Sequence, residues 1–284
     1  MREVHLGDGP IEVVILPEAG ARLHRLRAFG HDLLRTPQHT ADHLRDPWFW
    51  GAYVMGPWCN RIDARPTPVE GQVVDVAPNF PDGTAIHGQV YARPWREAGD
   101  GSLRVEGGGD GWPWPYQMTL DVAVDGATVA IGCGLSNRSP GPMPAGIGLH
   151  PWWQRPVELA LDAELVYPSN TAPPPAPQPA TGPFDLRALA APADDLDAAW
   201  TELGPRPVEL AWPDLGISAT LRASATGDHV VVATPPGLGA IAVEFQTHAP
   251  DGLGRLLRGE PGAMRFLAPG EELRLDLEIV VRRG

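Results

Sequence analysis

Apolar and polar residues alternate along most of this chain, and this alternation restricts the chain to folds built from β-strands. The C-terminal stretch is the clearest case: every odd-numbered residue from 273 to 281 is aliphatic, and Arg274, Asp276 and Glu278 lie between them. Turn-forming pairs such as Asp100-Gly101 and Asp125-Gly126 separate the alternating stretches. Many strands joined by such turns predict an all-β fold, a large sandwich or barrel.

The same pattern predicts individual elements. Strands are expected over residues 11–16, 73–77, 118–124, 128–135, 157–166, 217–221, 230–233, 240–246 and 273–281. Helical periodicity is found over residues 39–45 and 194–203, where two or three turns are expected. His39 and His43 have the i, i+4 spacing of a metal-binding pair, but no glutamate follows His39 as in HExxH, so we expect a solvated helix face.

The length of 284 residues fits either one large all-β domain or two smaller domains. Residues 171–183 contain six prolines and could form either a linker between domains or a stiff surface excursion within one domain. We favour a single domain over residues 1–284, because the motifs described below lie on both sides of this stretch.

Composition and charge exclude several kinds of function. The chain has no lysine, which excludes a lysine Schiff base and the Gly-Lys phosphate loop. The formal net charge of −13 argues against a nucleic-acid partner. We expect a cytoplasmic protein with no membrane partner, because no signal-peptide pattern and no apolar run of about 20 residues is found. Cys59 and Cys133 are too few for a disulfide framework or a zinc ribbon.

Two segments place polar donors beside glycine or proline. In residues 56–62, Asn60 precedes Arg61, whose five-donor fork suits binding of hydroxyls or carboxylates. His87 precedes a glycine, so a ligand could approach it closely. The alternative is structural: an arginine that satisfies loop carbonyls and a histidine that packs in the core.

Two further segments carry groups suited to proton transfer. His150 is followed by a proline and two tryptophans, and flat aromatic faces beside polar donors are typical of sugar sites. Glu244 interrupts an apolar strand, and burial there would raise its pKa toward the range of a general base. The alternative for Glu244 is an edge position facing water.

The order and spacing of these segments resemble the aldose 1-epimerase (galactose mutarotase-like) family. Six segments carry the resemblance: residues 17–22, 57–62 (Pro-Trp-Cys-Asn-Arg-Ile), 87–88 (His-Gly), 150–153 (His-Pro-Trp-Trp), 244–251 and 266–271 (Phe-Leu-Ala-Pro-Gly-Glu). The resemblance implies a β-supersandwich of large, twisted, mostly antiparallel sheets. It also implies an isomerase that interconverts the α and β anomers of an aldohexose, with a sugar as its partner and no cofactor or metal.

The resemblance also implies roles for individual residues. Glu244 would be the general base and His150 the general acid. Arg61 and His87 would hold the sugar near its ring oxygen and hydroxyls. Further substrate-binding candidates are Asp197, Asn60 and Gln246. An anomeric hydroxyl must lose a proton while the ring oxygen gains one, and a glutamate and a histidine suit this exchange once burial raises the pKa of the glutamate.

Two alternatives use the same scaffold. A hexose-6-phosphate mutarotase would need a basic cradle for the phosphate, to which Arg22, Arg25 or Arg93 could contribute. The negative net charge argues against this alternative without excluding it. The second is a sugar-binding protein without catalysis, which retention of both proton-transfer residues argues against. The sequence departs from the family pattern at Trp58, Cys59, Gln89, Leu149 and Phe245, which leaves the shape of the pocket and the choice of sugar open.

Overall fold

The structure is a computed structural model that describes residues 1–99 and 101–284. The turn expected at Asp100-Gly101 therefore lies partly outside the described residues. The first twelve strands are Val4–Asp8 (β1), Ile11–Leu16 (β2), Arg22–Ala28 (β3), His31–Asp32 (β4), Ala52–Met55 (β5), Arg61–Ile62 (β6), Thr67–Val69 (β7), Gln72–Val74 (β8), Ala85–Ile86 (β9), Arg96–Gly99 (β10), Ser102–Gly109 (β11) and Trp112–Asp125 (β12).

The remaining strands are Thr128–Asn137 (β13), Met143–Ala145 (β14), Gly148–Gln154 (β15), Glu158–Ala160 (β16), Ala163–Tyr167 (β17), Gln178–Pro179 (β18), Asp197–Leu203 (β19), Val208–Trp212 (β20), Ile217–Ala223 (β21), His229–Ala233 (β22), Ala240–Gln246 (β23), Arg265–Leu267 (β24) and Glu272–Arg283 (β25). The α-helices are Asp42–Arg45 (α1) and Gly252–Arg258 (α2).

Two large antiparallel sheets contain most of these strands. The first has 11 strands in the order β1-β2-β3-β5-β15-β23-β22-β19-β17-β18, with β4 paired to β3. The second has eight strands in the order β10-β11-β12-β13-β25-β21-β20-β16. Aliphatic and aromatic side chains from both sheets form one continuous buried cluster, which includes Leu23, Trp153, Leu120 and Leu277. The all-β prediction is therefore confirmed.

The period-2 pattern locates most strands well but misplaces some elements. Residues 11–16 and 240–246 form strands with the expected bounds. The expected strand over 157–166 is two strands, β16 and β17, which belong to different sheets. The helix expected over residues 194–203 is wrong: this segment contains β19, which pairs with β17 and β22. The hydrogen bonds that this segment forms with the neighbouring strand on each side stabilise the extended conformation, although the sequence has a helical period.

The first predicted helix is shorter than expected, and its histidine is not solvated. α1 covers four residues, Asp42–Arg45. His43 is buried, and its Nε2 lies 2.9 Å from Nδ1 of His24 on β3. The prediction of a solvated face at His43 is therefore wrong, because this short helix packs its histidine against the first sheet. α2 was not predicted, since Gly252 and Gly254 break the helical pattern.

The proline-rich stretch lies between two strands of the same sheet. It contains β18, which pairs with β17, and β17 pairs directly with β19 on its other edge. The stretch therefore leaves the first sheet and returns to it, as expected for an excursion rather than a linker. The single domain over residues 1–284 stays a prediction that agrees with this path.

Within residues 1–99 and 101–284, no helix has the length and apolarity needed to span a membrane. The cytoplasmic location stays a prediction.

Candidate active site

Strand register on the first sheet brings His150 and Glu244 side by side. The pairing of β15 with β23 joins Gly148 to Gln246 and Trp152 to Ala242. His150, midway along β15, therefore lies opposite Glu244, midway along β23. His150 Nε2 lies 3.1 Å from Glu244 Oε1. Both side chains are almost fully buried, with 5% and 3% of their surface exposed.

The burial of this pair changes the proton affinities of both groups. Burial raises the pKa of the Glu244 carboxyl well above its ordinary value, and a hydrogen bond from Gln246 Nε2 to Glu244 Oε2 (2.8 Å) opposes the rise. Burial, followed by the charge of Arg22, lowers the pKa of His150 to about 3. Both shifts favour neutral groups, so we expect the pair to hold one proton near neutral pH, on the carboxyl side.

Two aromatic rings and a second histidine surround the His150 ring. Tyr53 stacks on His150 with ring centroids 4.5 Å apart, and Trp152 lies 4.9 Å away. His87 meets His150 edge-on at 5.0 Å. Burial lowers the pKa of His87 well below its ordinary value, and the charges of His150 and Arg61 lower it further. The imidazole of His150 is thus fixed in orientation before any ligand binds.

Close backbone contact positions His87. His87 has a φ of 62°, and its backbone N–H donates to the carbonyl of Asn60 at 3.1 Å. A Cβ on the following Gly88 would lie 2.0 Å from the carbonyl oxygen of Gly56, so only glycine fits there. The His-Gly motif therefore lets two loops approach closely and turns the imidazole toward His150.

A polar cluster around Arg61 forms another wall of the site. Arg61 Nε donates to Asp82 Oδ2 at 2.8 Å, and Arg61 Nη2 lies 3.5 Å from Asp197 Oδ2. Asn170 Nδ2 donates to Asp197 Oδ1 at 2.6 Å, while Asn170 Oδ1 is buried without a hydrogen-bond partner. The guanidinium also lies 5.0 Å from the Phe80 ring centroid. The cluster presents a fixed set of donors and acceptors.

These groups line a pocket of about 250 Å³. Its aromatic side chains are Trp48, Phe49, Tyr53, Phe80 and Trp152. Its polar side chains are Asn60, Arg61, His87, His150, Asn170, Asp195, Asp197 and Glu244. Flat aromatic walls beside convergent donors and acceptors suit a small polyhydroxylated ligand, whose C–H faces pack on rings and whose hydroxyls bind the polar groups.

The structure brings together six of the seven predicted site residues. Besides the His150–Glu244 pair, the pocket lining includes Asn60, Arg61, His87 and Asp197. Gln246 is fully buried, contacts Glu244 and does not line the pocket. Direct substrate contact by Gln246 is therefore not supported, because its amide is turned toward the carboxyl of Glu244.

Sequence reasoning missed several residues that line the pocket or contact its polar cluster. Tyr53 lies in a short apolar run, where a core position is the ordinary interpretation. Asp82 belongs to a Pro-Asp-Gly stretch that reads as a turn, and Asn170 precedes the proline-rich stretch. No local signal identifies them, because strand register and loop packing bring them to the site.

The departures from the family pattern do not line the pocket. Leu149 and Phe245 lie on the opposite face of the sheet from His150 and Glu244, because side chains alternate along a strand. Gln89 donates to the carbonyls of Gly109 and Asp110, and Trp58 and Cys59 are buried. These departures therefore supply no side chain to the pocket lining.

Solved structures share this architecture. A galactose mutarotase-like protein from Clostridium acetobutylicum superposes with a TM-score of 0.86 at 16% identity, covering 99% of this chain and 95% of the other. An aldose epimerase homologue from C. elegans gives 0.83 at 17%, with 99% of each chain covered. A galactose 1-epimerase from Lactobacillus acidophilus gives 0.78 at 16%, covering 98% and 93%. This likeness confirms the galactose mutarotase-like supersandwich.

Among curated protein sequences, none matches this chain. The sequence model of the family described as aldose 1-epimerase matches residues 2–279, which is nearly the whole chain. The match covers every pocket-lining segment described above and both large sheets, apart from the last four residues of β25. The chain therefore belongs to the aldose 1-epimerase family.

Proposed function

We propose that this protein is a mutarotase that interconverts the α and β anomers of an unphosphorylated aldohexose. One observation carries the proposal: a buried carboxyl and a buried imidazole lie 3.1 Å apart in a pocket with aromatic walls. Two such groups can take one proton and give another in the same site.

The proposed reaction moves protons at two oxygens of the sugar. The pair reacts in the form that has its one proton on His150, which takes it from Glu244 across their 3.1 Å contact. Glu244, now a carboxylate, accepts the proton of the anomeric hydroxyl while His150 donates its proton to the ring oxygen, and the bond between the anomeric carbon and the ring oxygen breaks. The resulting aldehyde rotates and presents its other face. The ring then recloses as Glu244 returns its proton and His150 takes one back. The pair carries one proton at the start and at the end.

Neighbouring groups bind the sugar and orient the pair. Arg61, His87, Asn60 and Asp197 bind hydroxyls or the ring oxygen, and Arg61 is held in place by its contacts with Asp82 and Asp197. Asn170, with its unpartnered Oδ1, accepts a hydrogen bond from a sugar hydroxyl.

The charges of the pocket favour a neutral sugar over a sugar phosphate. The three arginines considered for a phosphate cradle do not line the pocket. Arg22 is fully buried, Arg25 pairs with Asp32 at 3.0 Å, and Arg93 pairs with Asp110 at 2.7 Å. The cationic side chain that does line the pocket, Arg61, already contacts two carboxylates. A phosphate would therefore meet little uncompensated positive charge.

Anomer-exchange NMR tests the proposed function. We expect the protein to accelerate exchange between the anomeric signals of at least one free aldohexose, and to act more weakly on the corresponding 6-phosphate. Binding of a sugar without faster exchange would instead support the non-catalytic alternative. Faster exchange of the 6-phosphate than of the free sugar would contradict the assigned substrate class.

The contact between Gln246 and Glu244 gives a further prediction. Replacing Gln246 by leucine removes a hydrogen bond that lowers the pKa of Glu244, so this pKa rises further and the alkaline limb of the pH–rate profile moves up. We expect kcat to fall about tenfold with KM nearly unchanged, because such a hydrogen bond to a charged group is worth about 1.5–3 kcal/mol.

Gln117→Leu is the matched control for this prediction. Gln117 also donates to a glutamate, Glu106, at 2.6 Å, but this pair is exposed on the second sheet. The control should leave both kinetic constants unchanged. An effect of Gln246→Leu on KM alone would show direct substrate binding instead.

A further inference from the structure

One row of side chains crosses four adjacent strands of the first sheet and ends at the acid–base pair. The antiparallel pairing of β3 with β5 joins Leu23 to Ala52. Arg22 on β3 therefore lies beside Tyr53 on β5. The pairing of β5 with β15 joins Tyr53 to His150. The row is Arg22, Tyr53, His150 and Glu244, from β3, β5, β15 and β23 in that order.

The positive charge at the end of this row is fully buried. Arg22 has no exposed surface, and its guanidinium lies 4.5 Å from the centre of the Tyr53 ring. It donates to the carbonyls of Pro47 (2.8 Å), Trp50 (2.9 Å) and Tyr91 (3.4 Å). No ion pair among residues 1–99 and 101–284 involves Arg22, and its Nε is buried without a partner. A buried cation without a bonded carboxylate destabilises a fold, so its presence here points to a role other than stability.

Because Arg22 and His150 come from the two strands that flank β5, they lie on opposite sides of Tyr53. We propose that Arg22 is a positioning residue for the proton shared by His150 and Glu244: its charge, held behind Tyr53, disfavours a second cation on the imidazole and keeps the proton on the carboxyl. This inference rests on the proposed function, and it adds a residue outside the pocket to the proton-transfer machinery.

The consequence for catalysis concerns the strength of the acid. The ether oxygen of the sugar ring is a weak base, so its protonation needs a strong proton donor. An imidazolium disfavoured by a nearby cation gives up its proton readily. Arg22 thereby makes His150 a stronger acid at the moment when it is protonated.

The groups that face His150 support this assignment. Glu244 faces it from β23, Tyr53 from β5, and His87 from the loop after β9. The pKa of Tyr53 is raised well above its ordinary value by burial, and that of His87 is lowered by burial, so both stay neutral. Burial contributes most to the lowered pKa of His150, and the charge of Arg22 contributes next.

Removal of the charge with retention of polar contacts tests the proposal. Arg22→Gln keeps an amide donor for the loop carbonyls but is neutral. We expect both limbs of its kcat/KM–pH profile to move up by about one pH unit, because removal of a nearby positive charge raises the proton affinity of the pair. We also expect kcat to fall about tenfold, in line with a weaker acid. Arg22→Lys keeps the charge and should keep the limbs at their wild-type positions.

Arg25→Met is the matched control, since Arg25 lies on the same strand but does not line the pocket. Its Nε lies 3.0 Å from Asp32 Oδ1. This variant should change neither the limbs nor kcat. A uniform loss of activity in Arg22→Gln with unmoved limbs would show a purely structural role and overturn the proposal.

A second measurement uses the unaltered protein and needs no activity. Nitrogen-15 shifts of the His150 ring distinguish a neutral from a protonated imidazole. We expect the neutral form at pH 7 in the wild type; a protonated ring there would overturn the proposal even if all variants failed to fold. If the wild type accelerates no aldose, the proposed function fails, but the ring shifts of the wild type and of Arg22→Gln, compared across pH, still test the role of Arg22.

Discussion

Replacing Glu244 by glutamine is expected to lower kcat by about 10³-fold, within the range that a positioned acid or base contributes to a reaction. The amide cannot accept the anomeric proton, although it has nearly the shape of the carboxyl. Its oxygen can accept from Gln246 and its NH2 can donate to His150, so both neighbours keep a partner. Anomer-exchange NMR with the best aldose of the panel measures the change.

Stability separates this effect from damage to the fold. The pKa of Glu244 is raised in the folded protein, so its contribution to stability is fully present below the unfolded-state pKa and is lost as pH rises through the folded-state pKa. The glutamine variant lacks this loss, and its Tm relative to the wild type should therefore increase with pH. Glu278→Gln, a change at an exposed position of β25, is the control. It should have wild-type kcat, and its Tm relative to the wild type should not change with pH. Wild-type rates in Glu244→Gln would refute the proposed role of Glu244.

The sequence indicated the polar residues that line the pocket better than the other residues that form its walls. Residues such as His150 and Glu244 stand out because a polar group within an apolar strand or beside aromatic residues is unusual for its local environment. Such residues can be recognised without knowledge of the fold, and six of the seven predicted residues line one pocket. The roles of these residues in catalysis and binding stay predictions.

The missed residues have no such contrast in the sequence. Tyr53 looks like a core residue, and Arg22 looks like a surface arginine in an ordinary alternating strand. Their importance arises from cross-strand register, which joins residues distant in the chain. The misplaced helix over residues 194–203 has the same origin, because the partners of β19 are β17 and β22.

His150→Gln is expected to lower kcat by about 10²- to 10³-fold, because the amide neither gives nor takes a proton at neutral pH. The side chain keeps a polar contact with Glu244 and leaves the packing of Tyr53 and Trp152 largely filled. His31→Asn, a change at an exposed histidine of β4, is the control and should have wild-type kcat.

Combining His150→Gln with Glu244→Gln distinguishes a shared proton from two independent contributions. If the two residues exchange one proton through their 3.1 Å contact, either substitution already abolishes the transfer. The double variant should then be slower than the slower single variant by no more than a few-fold, since residues that act as a unit are strongly non-additive. Losses that multiply to about 10⁵-fold or more would mean that each group acts alone. That result would contradict the one-proton pair, on which both the proposed reaction and the role of Arg22 depend.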